Sequence, residues 1–316
     1  MTRTRSVLLV LALATLVLSG CRQPEGISVK AFPGFETNTA KSSIPLAEVV
    51  SGGPGRDGIP AIRAPKFVSV ADSPERDDVR GIFLDIGGDQ RFYPFSILVW
   101  HEIVDDWVGG RPVAVTFCPL CGSGIVYDRR VDGETLLFGV SGFLRKSNML
   151  MYDDVSESLW SQSRGEAVVG DYTGAQLGLV PMQLLTMRDV RRGHPDAKVL
   201  SRDTGHARDY ARNPYAGYDE TDDLYFPVEV TDRRYGAKTP MWVFRVGDKS
   251  VALPFSSPNA KPATRTIEGS TVMVSRPADE VLVTVDGEPV PGYTEMWFSW
   301  AAQHEADGVV WELDKE

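Results

Sequence analysis

Residues 79–96 carry the sequence VRGIFLDIGGDQRFYPFS, and this stretch is the best guide to the fold class. An apolar run as far as Ile86 predicts a strand, a glycine-rich turn follows, and a short returning strand ends at Pro94. Ser96 can cap a brief helix that reaches His101. Because 30 glycines and 21 prolines mark many turns in the chain, we expect a mainly β, β-rich α+β fold built from hairpin-plus-helix units.

The same pattern occurs twice. Residues 87–96 align without a gap with residues 247–256, GDKSVALPFS, and both stretches end in Pro-Phe-Ser. Three more matches follow in the same order: residues 113–116 with 272–275, residues 131–134 with 285–288, and the helix before His194 with the helix before His304. The sequence therefore predicts two degenerate copies, a first copy with insertions at residues 66–201 and a second at 225–316, joined by a linker loop at 202–224. Turn chemistry shared by unrelated hairpins is the alternative explanation. Within the first copy, Asp132-Gly133 predicts a hairpin of residues 124–131 and 134–140, and Pro181 is expected to open a helix that runs through Val190.

The N-terminus has the form of an export signal. A basic start with Arg3 and Arg5 precedes an apolar run at residues 7–18 and small residues before Cys21, which together describe a secretory signal peptide over residues 1–20. The run is shorter than the roughly 20 apolar residues of a membrane-spanning helix. Leu-Ser-Gly-Cys at its end resembles a lipobox, and this resemblance implies acylation of Cys21. A signal peptide with a chance cysteine is the alternative.

These features predict where the protein acts. Residues 21–65 are expected to form a lipid-anchored tether and an irregular N-terminal segment. The lipid bilayer is the expected partner, through acylated Cys21, and the protein is expected in the cell envelope, facing the periplasm or the exterior. The formal net charge of −10 and the lack of a basic cluster argue against a nucleic-acid partner.

The chain has three cysteines, so Cys118 and Cys121 remain if Cys21 is lipidated. A single Cys-x-x-Cys pair is not a disulfide framework. The chain lacks a Gly-x-Ser-x-Gly elbow, a phosphate-binding glycine loop and a His-Glu-x-x-His motif. The sequence therefore leaves open whether the protein is an enzyme and directs attention to the cysteine pair.

Motifs around the cysteines resemble a known family, the domain of unknown function family 3179. The motifs are TFCPLCGSG at 116–124, FGVSG at 138–142, SN at 147–148, MYD at 151–153, SLWSQ at 158–162 and HPD at 194–196. The resemblance is strong over residues 66–201 and weaker towards the C-terminus. It implies exported bacterial relatives and supplies no activity.

The stretch from Cys118 to Gly122, Cys-Pro-Leu-Cys-Gly, resembles the knuckle of rubredoxins and zinc ribbons. Pro119 stiffens such a turn, and Gly122 permits a positive φ, so that backbone N–H groups can point at the sulfurs. The glycine-rich exit does not match a thioredoxin-type motif, in which a helix follows the first cysteine. A full zinc or iron site needs four ligands, and this chain has no second knuckle. The second copy lacks the cysteines, so we expect any chemistry on the first copy.

His101 is the best candidate for a third metal ligand, because its helix leads into the hairpin that delivers Cys118. A surface or capping histidine is the plain alternative. The other candidates are weaker: His194, His206, His304, and the thioethers of Met149 and Met151, which more often fill a core.

Three functions follow from the pair. The first hypothesis is a soft metal ion, copper or zinc, bound by Cys118, Cys121 and His101. The second is a thiol–disulfide redox protein that uses the same two cysteines. The third is a non-catalytic binding or scaffold module with a structural cysteine pair and an unknown protein or small-molecule partner.

Two further groups of side chains carry weaker expectations. Acidic residues beside His101, at positions 102, 105 and 106, are expected to form a solvated edge. The tyrosines at 210, 215, 218 and 225 are expected either to line a groove or to pin a long loop to a sheet.

Overall fold

The computed structural model describes residues 32–255, 262–276 and 281–312, so the expected signal peptide and Cys21 lie outside the described residues. Strands hold 42% of the described residues and helices 10%, which confirms the mainly β prediction. In the described part of the chain, no helix is long and apolar enough to cross a membrane.

The predicted hairpin forms the centre of a five-stranded sheet with the order β14-β3-β4-β15-β2. Its elements are β2 (Phe67–Ser69), β3 (Arg80–Ile86), β4 (Asp89–Pro94), α1 (Phe95–His101), β14 (Gln183–Thr186), α2 (Met187–Gly193) and β15 (Lys198–Leu200). The predicted cap of α1 was wrong: the N-cap is Pro94 without a side-chain hydrogen bond. The Ser96 hydroxyl instead donates to Glu75 at 2.7 Å.

A seven-stranded sheet with the order β23-β17-β16-β22-β7-β6-β5 joins the two halves of the chain. The first half supplies β5 (Ile103–Val108), β6 (Arg111–Cys118) and β7 (Ser123–Asp128). The second half supplies β16 (Pro240–Val246), β17 (Lys249–Pro254), β22 (Gly292–Met296) and β23 (Gly308–Val310), with α3 (Trp297–Gln303) after β22. The halves meet where Thr294 of β22 pairs with Gly124 of β7.

The two halves use the same strand arrangement. In each half a strand pairs antiparallel with the first hairpin strand, β14 with β3 and β22 with β16. A helix follows, and the next strand pairs parallel with the second hairpin strand, β15 with β4 and β23 with β17. This arrangement is what a duplicated unit requires, and the common origin of the halves stays a prediction.

A third sheet has the order β1-β10-β11-β12-β13 and packs around the insertions of the first half. Its strands are β1 (Val49–Ser51), β10 (Phe138–Arg145), β11 (Asn148–Asp153), β12 (Leu159–Ser161) and β13 (Glu166–Val169). Six short strands complete the described part: β8 (Arg130–Val131), β9 (Glu134–Thr135), β18 (Ala263–Ile267), β19 (Ser270–Ser275), β20 (Leu282–Val285) and β21 (Glu288–Pro289). Single 3₁₀ turns occur at Leu46–Glu48 and Tyr218–Glu220.

Two sequence-based boundaries were wrong for the same physical reason. Asp132 and Gly133 do form a turn, but it joins only the two-residue strands β8 and β9, because β10 pairs with the distant strands β1 and β11. The second helix was expected from Pro181, yet residues 183–186 pair with β3 as a strand. Pairing with a distant strand outweighs the local pattern in both places.

The described part of the N-terminal segment, residues 32–65, is packed against the rest of the described chain. Phe32 is buried, with its ring centroid 5.1 Å from that of Phe143. Ile62 is also buried and forms a bridge with Val104 of β5. Residues 32–65 therefore belong to the folded part of the protein.

Candidate functional site

The two cysteines lie in a tight turn between adjacent strands of the seven-stranded sheet. Cys118 ends β6 and pairs with Ser123, the first residue of β7. Inside the turn, the Cys121 N–H donates to the Cys118 carbonyl at 3.1 Å, and Gly122 has a φ of 56°. We call residues 118–122 the cysteine turn. Met296 ties it to the second half, because its N–H donates to the Cys121 carbonyl at 2.8 Å.

The two thiols are buried and free, with exposed fractions of 1% at Cys118 and 0% at Cys121. Burial raises the pKa of Cys118, but hydrogen bonds from the Cys121 thiol and from the backbone N–H groups of Met149, Cys121 and Leu120 lower it by more. Burial and the neighbouring Cys118 charge raise the pKa of Cys121 well above its usual value. Cys118 is therefore the more acidic thiol of the pair.

The backbone groups around the sulfurs come from the turn between β10 and β11. Lys146 and Ser147 both have positive φ, 48° and 66°. This conformation brings the Ser147 carbonyl within 3.2 Å of the Cys121 sulfur and the Met149 N–H towards the Cys118 sulfur. The Ser-Asn motif of the family therefore lies directly against the thiols.

A buried polar network centred on Gln162 holds the strands around the cysteine turn. Ser123 and Asn148 donate to the Gln162 carbonyl oxygen at 2.8 and 2.9 Å. The Gln162 amide donates to the Thr116 hydroxyl at 3.0 Å and to the Ser123 carbonyl at 3.2 Å. Because buried polar groups are costly when unpaired, this network fixes β6, β7, β11 and the turn after β12 relative to one another.

Two residues of the second half complete the site, and sequence reasoning missed both. Glu295, on β22, is fully buried and accepts hydrogen bonds from Ser299 at 2.6 Å and Ser163 at 2.9 Å. Ser299, in the first turn of α3, lowers the pKa of the Cys121 thiol. The surroundings of the cysteine turn therefore include residues of the second half as well as the first.

One signal could have found Glu295. Glu295 pairs with Met241 in the second half, and Leu185 pairs with Gly81 at the matching place in the first. Glu295 therefore stands where the first half has Leu185, and a carboxylate in the mostly buried strand β22 is unusual. Burial raises the pKa of Glu295 to about 7, although the two serine hydrogen bonds lower it in part.

The acidic residues expected at a solvated edge are buried instead. Glu102, Asp105 and Asp106 have exposed fractions of 6%, 2% and 7%. Strands β3, β4 and β10 cover this edge, and Asp106 accepts hydrogen bonds from Arg91 and from Tyr93 at 2.6 Å. Burial and the Cys118 charge raise the pKa of Glu102 well above its usual value, so Glu102 is electrostatically part of the site.

His101 is fully buried, and hydrogen bonds occupy both of its ring nitrogens. Nδ1 lies 2.7 Å from the Pro60 carbonyl oxygen, and Nε2 lies 2.7 Å from the Tyr210 hydroxyl. Burial lowers the pKa of His101 to about 4, so the ring is neutral at physiological pH. His101 thus pins the segment at residue 60 and the loop at residue 210 to α1.

The structure does not gather a metal site around the cysteines. Among the residues it describes, no three histidine, cysteine, aspartate or glutamate side chains are grouped so that they could hold a metal ion. His194 and His304 follow the ends of α2 and α3, and His206 is exposed. Met149 and Met151 lie in the core.

An open cleft of about 760 Å³ adjoins the cysteine turn. Phe117, Pro119 and Gly122 form part of its wall, and the Phe117 ring stacks on Phe95 at 4.2 Å between centroids. Tyr210, Tyr215 and Tyr218 also line it. Tyr218 also donates to the Leu120 carbonyl at 3.1 Å, and the Tyr210 hydroxyl lies 2.7 Å from His101 Nε2, so these two tyrosines both line the cleft and hold the long loop. Tyr225 is exposed and does not line the cleft.

Fold and site together define a mainly β protein in which a buried dithiol lies beside an open cleft. The family model described as Protein of unknown function (DUF3179) matches residues 56–285, and the chain belongs to this family. The match includes the cysteine turn and ends before Glu295. No curated protein and no solved structure matches the chain.

Proposed function

We propose that this protein is a thiol–disulfide redox protein that cycles Cys118 and Cys121 between dithiol and disulfide. The observation that carries the proposal is the pair itself: two adjacent thiols of unequal acidity, with three backbone N–H groups directed at one sulfur. A thiolate is the attacking species in disulfide exchange, and hydrogen bonds of this kind favour it.

The unequal acidity assigns the order of events. The Cys118 thiolate attacks one sulfur of a substrate disulfide, a mixed disulfide forms, and the other substrate sulfur leaves as a thiolate. Cys121 then loses its proton and attacks the Cys118 sulfur. The second substrate thiolate leaves, the substrate gains two electrons, and the protein holds a Cys118–Cys121 disulfide.

The cleft supplies the route for a substrate. Phe117, Pro119 and Gly122 belong both to the cleft wall and to the segment that carries the thiols. The cleft is also lined by three tyrosines and by Arg80 and Arg212, and these side chains suit a partly apolar substrate with anionic groups. The reverse reaction, oxidation of a substrate dithiol, uses the same groups.

Copper or zinc remains the competing hypothesis. It uses the same two sulfurs but needs at least one more ligand, and both nitrogens of its proposed third ligand, His101, are already hydrogen-bonded. Redox chemistry needs only the two thiols. We therefore prefer the redox hypothesis over the metal site.

One experiment separates these hypotheses. Full-length wild-type protein, Cys118→Ser, Cys121→Ser and His101→Ala are purified in detergent. Bound copper and zinc are measured, and thiols are counted by alkylation before and after oxidation and re-reduction. We expect one reversible disulfide in the wild type and in His101→Ala, and none in either serine variant, because one sulfur cannot close a disulfide.

The same samples can overturn the proposal. Stoichiometric copper or zinc in the wild type that disappears in His101→Ala would support the metal hypothesis. A wild-type protein that binds no metal and whose thiols do not oxidise reversibly would contradict both hypotheses. The third hypothesis, a non-catalytic binding or scaffold module, would then be the one supported.

We also propose that the protein is a lipoprotein of the cell envelope, anchored through Cys21. Its support is the sequence before Cys21. Cys21→Ser should release the protein from membranes or leave an unprocessed precursor, as membrane fractionation and mass spectrometry would show. A wild-type mature protein that carries no lipid and fractionates as soluble would contradict this assignment.

A further inference from the structure

We propose that Glu295 is a positioning residue that receives the proton of Cys121 through the hydroxyl of Ser299. This inference rests on the proposed redox function and adds a residue from the second half of the chain to it.

Ser299 and Glu295 lie beside the Cys121 thiol. The Ser299 hydroxyl donates to Glu295 Oε1 at 2.6 Å, and Ser299 lowers the pKa of Cys121. The thiol itself donates to the Ser147 carbonyl at 3.2 Å, so its S–H bond turns from that carbonyl to the Ser299 oxygen when the proton is transferred. Ser163 donates to the other carboxylate oxygen at 2.9 Å and fixes the orientation of the group. The Met296 N–H holds the Cys121 carbonyl at 2.8 Å, so the cysteine turn and the carboxylate are attached to the same strand end.

The resolving thiol needs such an acceptor. Cys121 is fully buried, and this burial raises its pKa well above the usual value even when Cys118 is held in an uncharged mixed disulfide. It must nevertheless lose its proton before it can attack the mixed disulfide. Glu295 forms no ion pair with any described cation, and burial raises its pKa to about 7. A base with a pKa near the working pH is the most effective one.

Other charged and titratable groups surround this chain. Those that interact with Glu295 or with the tyrosines beside it are Cys121, Tyr127, Tyr293, Arg164 and Arg245. The two tyrosines have pKa values raised by burial, and both are neutral at physiological pH. Glu295 is therefore the group in this surrounding that changes charge near neutral pH.

Attack of Cys121 on the mixed disulfide is coupled to the loss of its proton. Cys121 transfers its proton to the Ser299 oxygen while the Ser299 proton passes to the Glu295 carboxylate. The Cys121 sulfur bonds to the Cys118 sulfur, the mixed disulfide breaks, and the substrate thiolate leaves. The proton ends on the Glu295 carboxyl, and residue 295 contributes to the wall of the cleft.

An aromatic disulfide, dithiobis(nitrobenzoate), resolves the two chemical steps. In full-length protein that carries Cys21→Ser, only Cys118 and Cys121 remain. Attack by Cys118 releases the first coloured nitrothiobenzoate, and attack by Cys121 on the mixed disulfide releases the second. Stopped-flow absorbance from pH 5 to pH 9 gives the rate of each phase.

We expect Glu295→Gln and Ser299→Ala to slow the second phase by at least about tenfold at neutral pH, the lower end of general acid–base effects. The inflection near pH 7 in the second phase should disappear, while the rate of the first phase stays within about twofold. A merely structural role would alter both phases or neither.

Asp105→Asn is the matched control. Asp105 is also buried, with a pKa that burial raises to about 7, but its contacts are Arg129 at 3.8 Å and the Phe138 N–H at 2.9 Å. This variant should keep the second phase and its inflection. An unchanged second phase in Glu295→Gln would overturn the relay alone, whereas a wild type that forms no Cys118–Cys121 disulfide would overturn the redox function itself.

Discussion

Cys118 and Cys121 stand three positions apart, yet their environments differ in the property that matters for exchange. Backbone N–H groups point at the Cys118 sulfur, whereas Cys121 faces a carbonyl oxygen, a serine hydroxyl and the Cys118 charge. Hydrogen-bond donors favour the thiolate at the first position, and burial with a like charge opposes it at the second. In the proposed redox cycle, this difference makes Cys118 the nucleophile and Cys121 the resolving thiol that depends on a base.

The burial of Glu295 also predicts a pH-dependent stability. Its pKa rises from 4.5 to about 7 on folding. The folded state therefore holds the proton more tightly than the unfolded state, and this contribution to stability is present below pH 4.5 and lost as the pH rises through 7. Glu295→Gln removes the effect, so the free energy of unfolding of the variant minus that of the wild type should grow by about 3 kcal/mol from pH 4 to pH 8.

Urea unfolding of the reduced proteins at several pH values measures this difference. Parallel stability profiles for the wild type and Glu295→Gln would show that the carboxylate titrates normally in the folded protein, and the relay would then lack its base.

At the scale of elements, the cysteine turn depends on contacts from neighbouring strands. The Gln162 network holds β7 and β11 beside the turn, and the Met296 N–H at the end of β22 donates to the Cys121 carbonyl. Gly122 must adopt a positive φ, and a Cβ there would lie 3.1 Å from the Met296 side chain. The turn is therefore specified both by its own glycine and by the neighbouring strand.

Gly122→Ala should destabilise the protein more than Gly133→Ala. Both glycines have positive φ, 56° and 87°, but an added Cβ at Gly133 would meet no atom within 4 Å. Each variant carries the left-handed conformation penalty of about 1–2 kcal/mol, and Gly122→Ala adds the clash with Met296. Denaturant unfolding should show an extra loss of about 1 kcal/mol at Gly122. Equal losses at the two sites would mean that Met296 moves away at no cost.

The sequence predicted elements well where the signal was local. The β3–β4 hairpin, the brief α1 helix and the strand into Cys118 all follow from apolar runs, glycine turns and prolines. Prediction failed where pairing with a distant strand determines the secondary structure, as it does for β10 and β14.

The candidate site shows the same division. Cys118 and Cys121 were evident from their spacing, but the surroundings of His101 were not. Pro60 and Tyr210, which occupy its ring, are 41 and 109 positions away. Glu295 was missed because it lies 174 positions beyond Cys121 in the sequence and reaches the thiol only through tertiary structure.

For the whole molecule, the two halves are unequal parts of one site. The first half carries the thiols, and the second keeps the matching strand arrangement and contributes Glu295, Ser299 and the Met296 N–H. The seven-stranded sheet runs through both halves, with β22 beside β7. The second half therefore supports the cysteine turn structurally and, in the proposed cycle, supplies the base.

Deletion of residues 225–316 should accordingly prevent cooperative folding. The truncated chain would expose the edge of β7 and leave the cysteine turn without its contact to β22. We expect broad thermal unfolding and rapid proteolysis, whereas the full-length protein should unfold cooperatively. A truncated chain that unfolds in one sharp transition and protects its thiols from alkylation would contradict this dependence.

The redox equilibrium of Cys118 and Cys121 is the most direct test of the proposed function. Full-length protein is equilibrated anaerobically in glutathione buffers of graded potential, quenched with acid, alkylated, and analysed by mass spectrometry for the peptide that contains both cysteines. We predict a single reversible two-electron transition, in which the dithiol-to-disulfide ratio changes tenfold for about every 30 mV. A pair that stays fully reduced at every potential, or that is protected from oxidation by a stoichiometric metal ion, would contradict the account.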